Sequence, residues 1–294
     1  MMGTRQLQTV SESAVYSKDQ WEPVLNELHA QFRCHGRRAA EDFDGEAVHQ
    51  ARVSCRKLLT LLRILDPDDR TGLYPVFKKA QKRLGRVRDK DVLIESFKQR
   101  RKIAKAAGDK DQARLLGSLT AVQKEERKRY RTKLAEKLPK LLDDDELTKW
   151  NSFLQEDLEV LLGRTDVKGV MRELETAFEQ NKQRYREISG EHGCESSEAF
   201  DALHELRISA KELRYTASAA SFALDEEYLG YEKKYKAIQE ELGEINDRRV
   251  WLDTILEIGR KNLDADKQTW HHFKQELRHE LQERMKNMTA VESC

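Results

Sequence analysis

The chain contains two copies of one short pattern, and this internal repeat most constrains how it can fold. The first copy, HQARVSCRKLL, begins at His49, and the second, HELRISAKELR, begins at His204 in a chain of 294 residues. Each copy is followed by a second shared segment, LGRVRDKDV from Leu84 and LGEINDRRV from Leu242. Two signatures in the same order at nearly the same offset predict a duplicated unit. We therefore expect two similar halves that face each other.

Apolar residues recur at spacings of three and four along almost the whole chain, which is the period of an α-helix. Only four prolines and fourteen glycines interrupt the sequence, and no alternating pattern of useful length indicates a strand. We predict an all-α fold, with two helical bundles packed side by side. The predicted helices span about 18–41, 46–65, 70–84, 89–107, 110–138, 146–163, 167–189, 197–224, 226–242, 247–261 and 265–289.

Local signals set several of these boundaries. The helix of the first copy should end at Asp66, because the residue before a proline disfavours the helical conformation. Gly85 predicts a bend in the chain, and Asp89 is the expected N-cap of the next helix. The acidic turn DDDE at residues 143–146 predicts the boundary between a first half, 18–142, and a second half, 146–289.

Each copy of the repeat places a basic stripe beside an apolar stripe on one helix. The basic side chains are His49, Arg52, Arg56 and Arg63 in the first copy and His204, Arg207, Lys211 and Arg214 in the second. Like charges at this spacing repel each other by a few tenths of a kcal/mol per pair. An anion that bridges the stripe would make the arrangement favourable, since guanidinium groups match phosphate oxygens and histidine can donate from either nitrogen.

Further cations follow each copy where the chain turns back. They are Lys78, Lys79, Lys82, Arg83 and Arg86 after the first copy and Lys233, Lys234 and Lys236 after the second. If the two repeat helices face a shared cleft, these residues line it from both sides. The net charge is only +1, yet residues 78–131 hold 19 Lys or Arg against 7 Asp or Glu. Such a polarised chain can attract anions although its average charge is near zero.

Each feature also has a structural interpretation. A single basic stripe beside an apolar one is most often a solvated helix flank, and the duplication is what favours a binding role. Asp89 and Asp247 are expected to cap helices or pair with nearby cations rather than act as catalytic acids. The histidines at 271, 272 and 279 lack acidic or cysteine companions at ligand spacing, and the four cysteines show no C-x-x-C pattern. We therefore expect no metal site, no cofactor and no disulfide framework.

The two repeats resemble the CHAD family, the conserved histidine α-helical domain. The matching segments are H-x-x-R-V-x-x-R-K-L from His49 and H-x-x-R-I-x-A-K-x-L-R-Y from His204, together with the two LG segments that follow them. The resemblance spans residues 18–289 and implies one domain of two four-helix bundles, related by an approximate two-fold axis, with a basic channel between them. It also implies binding of inorganic polyphosphate and, in some bacterial members, association with polyphosphate granules.

The resemblance carries over residue by residue to the basic stripes. The positions that match the family's basic residues are His49, Arg52, Arg56, His204, Arg207, Lys211 and Arg214. The two copies differ elsewhere, because Glu212 stands where the first copy has Lys57, and Leu59 stands where the second has Arg214. The two halves are therefore not equivalent.

A non-catalytic polyphosphate-binding module is the leading functional hypothesis. A phosphoanhydride-processing enzyme would need a metal site or an acid–base pair, and the basic stripes hold no acidic cluster for Mg²⁺. A nucleic-acid-binding protein would need aromatic side chains among the cations, and Tyr215 is the nearest candidate. A purely structural scaffold would bind neither anion. The sequence contains no run of about eighteen apolar residues, which a membrane-spanning helix would need. Residues 1–13 lack the apolar core of a secretory signal. A cytoplasmic location is therefore expected.

Overall fold

The computed structural model describes residues 16–289, and most of these residues lie in helices. The α-helices are α1 (Lys18–Glu41), α2 (Gly45–Leu65), α3 (Tyr74–Ala106), α4 (Lys110–Lys137), α5 (Asp144–Ser152), α6 (Leu158–Leu162), α7 (Val167–His192), α8 (Ser197–Ala219), α9 (Tyr231–Ile258) and α10 (Lys267–Lys286). A short π-helical turn, Phe153–Asp157, joins α5 to α6. No strand occurs between residues 16 and 289, and the all-α prediction is confirmed.

Short polar side chains begin most of the helices. A serine or aspartate precedes the first helical residue and accepts a hydrogen bond from a backbone N–H of the first turn, which satisfies one of the free donors there. The capping residues are Ser17, Asp44, Asp109, Asp143, Asp166, Ser196 and Asp266. Helix α3 begins at Tyr74 rather than near residue 70, because the carboxylate of Asp66 accepts hydrogen bonds from the backbone of Arg70 and Thr71 and holds a loop there.

The predicted breaks at the two LG segments are wrong. Helix α3 runs through Gly85 and α9 runs through Gly243 without interruption, and Asp89 lies inside α3 instead of capping a new helix. Gly85 is buried, and a Cβ added to it would lie 3.8 Å from Nε of Arg52. This glycine therefore brings the α3 backbone close to an arginine of α2. A Cβ at Gly243 would meet nothing within 4 Å.

Three apolar clusters hold the helices together. The first is formed by α1, α2, the first part of α3 and the end of α4, with α5 and α6 packed against them. The second is formed by α7, α8, the first part of α9 and the end of α10. The third joins the two halves, because the remaining parts of α3 and α4 pack against those of α9 and α10. The two-fold relation between the halves and their boundaries at 18–142 and 146–289 stay predictions.

The third apolar cluster lies under a group of charged residues. Arg100 of α3 donates to Glu276 of α10 at 2.7 Å and also pairs with Glu280. Arg248 of α9 donates to Glu280 at 2.8 Å, and its guanidinium carbon lies 4.5 Å from the ring centroid of Trp251. These contacts connect α3 with α9 and α10. The aromatic rings and the ion pairs therefore fix the two halves of the chain against each other at this end.

The cysteines differ from the simplest expectation. Cys34 and Cys55 are free thiols, whereas Cys194 is disulfide-bonded, which the spacing did not predict. Cys55 is fully buried in α2, its Sγ lies 3.3 Å from the carbonyl oxygen of Phe77, and burial raises the pKa of its thiol. Cys294 and residues 1–13 lie outside the described residues. Within residues 16–289, no helix combines the length and apolar character that a membrane span requires.

A buried carboxylate joins α5 to α1. Glu146, the last residue of the DDDE turn, is 2% exposed. One of its carboxylate oxygens lies 2.6 Å from Nε2 of His29, and the other accepts a hydrogen bond from Arg33. The ring of His29 stacks on Trp150 with centroids 4.1 Å apart. The acidic turn that is predicted to mark the boundary therefore places one charged side chain in the core.

We expect Glu146→Ala to lower the free energy of unfolding by about 3–5 kcal/mol, because it removes the partner of two buried polar groups. Urea denaturation followed by circular dichroism measures this loss. Asp145→Asn in the same turn is the matched control, since the ion-pair partner of Asp145 among residues 16–289 is the exposed Lys149. Equal unfolding midpoints for the two variants would show that the buried pairs contribute nothing.

Candidate anion-binding site

The two repeat helices, α2 and α8, pack directly against each other. Their basic stripes meet at this contact, where the charges of Arg52 and Arg56 from α2 act on those of Arg207 and Lys211 from α8. These four residues are called the basic cluster below. Arg56 also donates a hydrogen bond to the hydroxyl of Tyr215, and its guanidinium carbon lies 4.5 Å from the centroid of that ring. The duplicated helices thus bring their cations together.

Two arginines at equivalent positions of the repeat are only partly hydrated. Burial lowers the pKa of Arg52 and of Arg207, and the charge of Arg56 lowers each further. The Nε of each side chain is buried and has no hydrogen-bond partner within residues 16–289. A buried donor without a partner costs about 1–3 kcal/mol, and more when it is charged. Both arginines could recover this cost by donating to an anion.

Lys211 is the residue that the basic cluster perturbs most. Burial lowers the pKa of its ammonium group to about 7, and the charges of Arg56, Arg207 and Arg52 contribute to the shift. Asp89 of α3 acts in the opposite direction, and its charge also acts on Arg52 and Arg207. Asp247 of α9 also acts on Arg207. The four basic side chains of the cluster therefore outnumber the two nearby carboxylates.

A cavity of about 180 Å³ lies beside the basic cluster and is called the α2–α8 cavity here. Its cationic lining consists of Arg56, Arg63, Lys78 and Lys211. Its apolar and aromatic lining consists of Leu59, Ile64, Tyr74, Val170, Ile208 and Tyr215. Nη1 of Arg63 donates to Glu212 at 2.7 Å, so one cation of the first repeat is already paired with a carboxylate of the second.

The two repeat histidines occupy different surroundings. His49 is half-buried, and burial lowers the pKa of its imidazole, as do the charges of Arg88 and Arg52. His204 is exposed and lines a small groove with Arg207, Asn246 and other residues of α8 and α9. Arg88 therefore lies near the histidine of the first copy, whereas Asn246 lies near the histidine of the second.

The cations outside the repeat helices are not all brought to the basic cluster. Lys78 lines the α2–α8 cavity, whereas Lys79 and Lys82 are exposed on α3. Arg86 lies over the ring of Tyr130 on α4 at 5.8 Å, and Arg83 is close enough to Glu136 of α4 for their charges to interact.

The three lysines of α9 lie on the surface. Lys233 is exposed, Lys234 lies over the rings of Tyr231 and Tyr235, and Lys236 is 3.9 Å from Glu240. Arg214 of α8 donates to Gln239 of α9 at 3.1 Å. None of these three lysines is among the residues that line the α2–α8 cavity. The predicted site is therefore concentrated on α2 and α8.

The sequence analysis missed two contributors and undervalued a third. Arg88, three residues after Gly85, interacts with His49 and Arg52, and Gln81 lines the cavity. Both lie about one helical turn from Gly85 on α3. If α3 had been predicted as one continuous helix, the LG segment would have pointed to both residues. Tyr215 was considered only as a surface for stacking bases, whereas it contacts Arg56 and lies 5.4 Å from Arg214.

We expect the stability of the protein to depend on pH through Lys211. The unfolded chain has the ordinary lysine pKa near 10.4, so unfolding takes up a proton between about pH 7 and pH 10. The free energy of unfolding should therefore rise with pH in this window, by at most about 1.4 kcal/mol per pH unit. Urea denaturation of the wild type and of Lys211→Met at several pH values tests this. Equal slopes would contradict the lowered pKa.

Comparison with known proteins identifies the family and a related fold. A family model described as the CHAD domain matches residues 24–256. The crystal structure of the CHAD domain from the plant Ricinus communis is similar, with a TM-score of 0.60 and 20% identity over 93% of this chain and 88% of that chain. None of the curated proteins compared with the chain matches it.

The two comparisons carry different weight. At 20% identity the crystal structure shows a shared fold and nothing about ligands. The family model covers more than half of the sequence and includes both repeat helices, α2 and α8. The family predicted from the repeats is therefore confirmed, and the chain belongs to the CHAD domain family.

Proposed function

We propose that the chain binds inorganic polyphosphate along the cations that α2 and α8 hold together. The observation that supports this most is the basic cluster, in which four cations from two helices interact while two carboxylates, Asp89 and Asp247, oppose them. Polyphosphate offers closely spaced anionic oxygens, which are the acceptors that guanidinium groups match best.

The energetics of the free protein favour such a ligand. The basic cluster carries like-charge repulsion and partial desolvation, which together lower the pKa of Lys211 to about 7. A polyanion would offset the repulsion, and its oxygens could accept hydrogen bonds from Nε of Arg52 and Arg207, which have no partner in the described part of the chain. Binding should also release counterions from the polymer and weaken with salt.

The shape of the basic stripes suits a linear ligand. The distance from His49 to Arg63 along α2 is about 21 Å at the usual helical rise, which is long enough for several phosphate units. A polyphosphate chain has no chemical direction, because its two ends are identical. If the two halves are related by the approximate two-fold axis that the family resemblance implies, a ligand without direction can meet equivalent cations from α2 and α8.

Nucleic acid is the less favoured polyanion. Its strands have a direction, and proteins that bind single strands supply free aromatic faces for the bases. Tyr215, the aromatic residue nearest the basic cluster, is already in contact with Arg56 and Arg214. A binding role at polyphosphate-rich granules in the cytoplasm follows from the proposed ligand and stays part of the proposal.

We expect simultaneous replacement of Arg52, Arg56, Arg207 and Lys211 by alanine to weaken binding of long-chain polyphosphate by about 100-fold or more, because several charge-assisted hydrogen bonds are lost. The slope of log affinity against log salt should fall by up to about one per removed contact. Titration with polyphosphate at several salt concentrations measures both quantities, and circular dichroism checks that the variant is folded.

The matched control removes four exposed lysines at the other end of the α3–α4 hairpin: Lys98, Lys102, Lys105 and Lys110. This variant has the same formal net charge as the alanine variant of the basic cluster. It should bind polyphosphate nearly as well as the wild type. Equal losses in the two variants would mean that overall charge, and not the basic cluster, binds the polymer.

We propose a binding role without catalysis. The carboxylates whose charges act on the basic cluster, Asp89 and Asp247, come from different helices, α3 and α9, and each is expected to balance nearby arginines. Incubation of the protein with polyphosphate and Mg²⁺ or Mn²⁺ should release no more phosphate than the same mixture without protein. Sustained release that scales with protein concentration would instead establish the phosphoanhydride-processing enzyme.

A further inference from the structure

The α2–α8 cavity is lined by cations and apolar residues as well as by Glu212, which pairs with Arg63, and neutral polar residues. Polyphosphate accounts for the cations but not for the apolar residues. The cations Arg56, Arg63, Lys78 and Lys211 suit an anion. The apolar residues Leu59, Ile64, Val170 and Ile208 line the same cavity of about 180 Å³, although a phosphate polymer has no apolar part to place against them. A ligand that uses both linings would join a phosphate group to a small apolar group.

Lys211 differs from the other cations of this lining in its protonation. Arg52 and Arg56 of α2, Arg207 of its own helix and Asp89 of α3 are the charged groups that act on it, and Tyr215 lies nearby. Because burial and the neighbouring cations lower its pKa to about 7, Lys211 gives up its proton far more readily near neutral pH than an ordinary lysine, which is almost fully protonated there. A neutral lysine amine among cations is an activated nucleophile.

We propose that Lys211 is a covalent acylation site for small acyl phosphates, which the α2–α8 cavity binds by the phosphate group. The cationic lining would hold the phosphate, and the apolar lining would accept the acyl group. The proposal rests on the proposed function in one respect, since both require phosphate oxygens beside the basic cluster.

The reaction is a simple acyl transfer. The lone pair of Nζ of Lys211 attacks the carbonyl carbon of the acyl phosphate, and a C–N bond forms. The C–O bond to the phosphate breaks, and inorganic phosphate leaves with the electron pair. The nitrogen releases one proton to the leaving phosphate or to water, so the products are an amide and inorganic phosphate. Arg56 would stabilise the charge on the leaving phosphate.

Acylation would change the polyphosphate site. The amide carries no charge and cannot regain a proton when a polyanion arrives, so the basic cluster would keep three cations. Since each lost phosphate contact reduces both affinity and its salt dependence, we expect the acetylated protein to bind polyphosphate about tenfold more weakly than the unmodified protein. Acyl phosphates would thereby lower the occupancy of the same site.

Acetyl phosphate is the probe that tests this proposal. The full chain is incubated with it at pH 7.2 and then cleaved after glutamate. Residues 206–212, LRISAKE, form a peptide whose only lysine is Lys211, and residues 233–240, KKYKAIQE, form a reference peptide with three exposed lysines. Mass spectrometry should show acetylation of Lys211 at least about tenfold faster than the average lysine of the reference peptide. Excess inorganic tripolyphosphate should slow labelling of Lys211 only.

Two controls separate phosphate-directed acylation from general reactivity. Arg56→Gln should slow labelling by acetyl phosphate more than labelling by N-hydroxysuccinimide acetate, which has no phosphate. Lys211 labelling no faster than the reference peptide, or equal effects of Arg56→Gln on both reagents, would overturn the proposal. Polyphosphate binding by the unmodified chain is measured separately. Intact binding together with unselective labelling refutes only the acylation site, whereas selective, phosphate-directed labelling without polyphosphate binding refutes only the proposed function.

Discussion

Apolar packing holds the cations of α2 and α8 close to one another, and the other features of the site depend on this constraint. Each repeat helix buries one stripe in the core of its own half, with Leu58 in the first copy and Leu213 in the second fully buried. Arg52 and Arg56 of the first copy are thereby held beside Arg207 and Lys211 of the second. Hydrophobic burial of this kind stabilises by about 25 cal/mol per Å², so the cores of the two halves can offset the repulsion between the stripes.

Contacts far from the site keep this arrangement in place. At one end, Glu146 binds His29 and Arg33 and fixes α5 to α1. At the other end, the hairpins α3–α4 and α9–α10 meet in the third apolar cluster, where Arg100 bridges two helices. The interface between α2 and α8 is therefore supported from both halves, and its cations can remain close although they repel one another.

Helical periodicity and the duplication were enough to predict the fold class, most helix boundaries and the meeting of the repeat helices. The breaks at Gly85 and Gly243 were predicted wrongly, because a glycine inside a helix costs only about 1 kcal/mol relative to alanine, which the packing of the rest of the helix can override. Sequence could identify Lys211 as basic but not as partly neutral, since its pKa follows from burial among three arginines. The buried ion pairs of Glu146 could also not be predicted from the sequence, because its partners lie more than 110 positions away.

The third apolar cluster has a consequence for the origin of the repeat. Phe97 and Leu116 come from the first half, and Trp251, Ile255 and Phe273 come from the second. If the two halves arose by the duplication that the repeats predict, a shorter ancestor with a single copy would have exposed one side of this surface to water. It could cover that side only by self-association, as in an isologous homodimer. Gene fusion would then have made the pairing permanent and left each copy free to diverge.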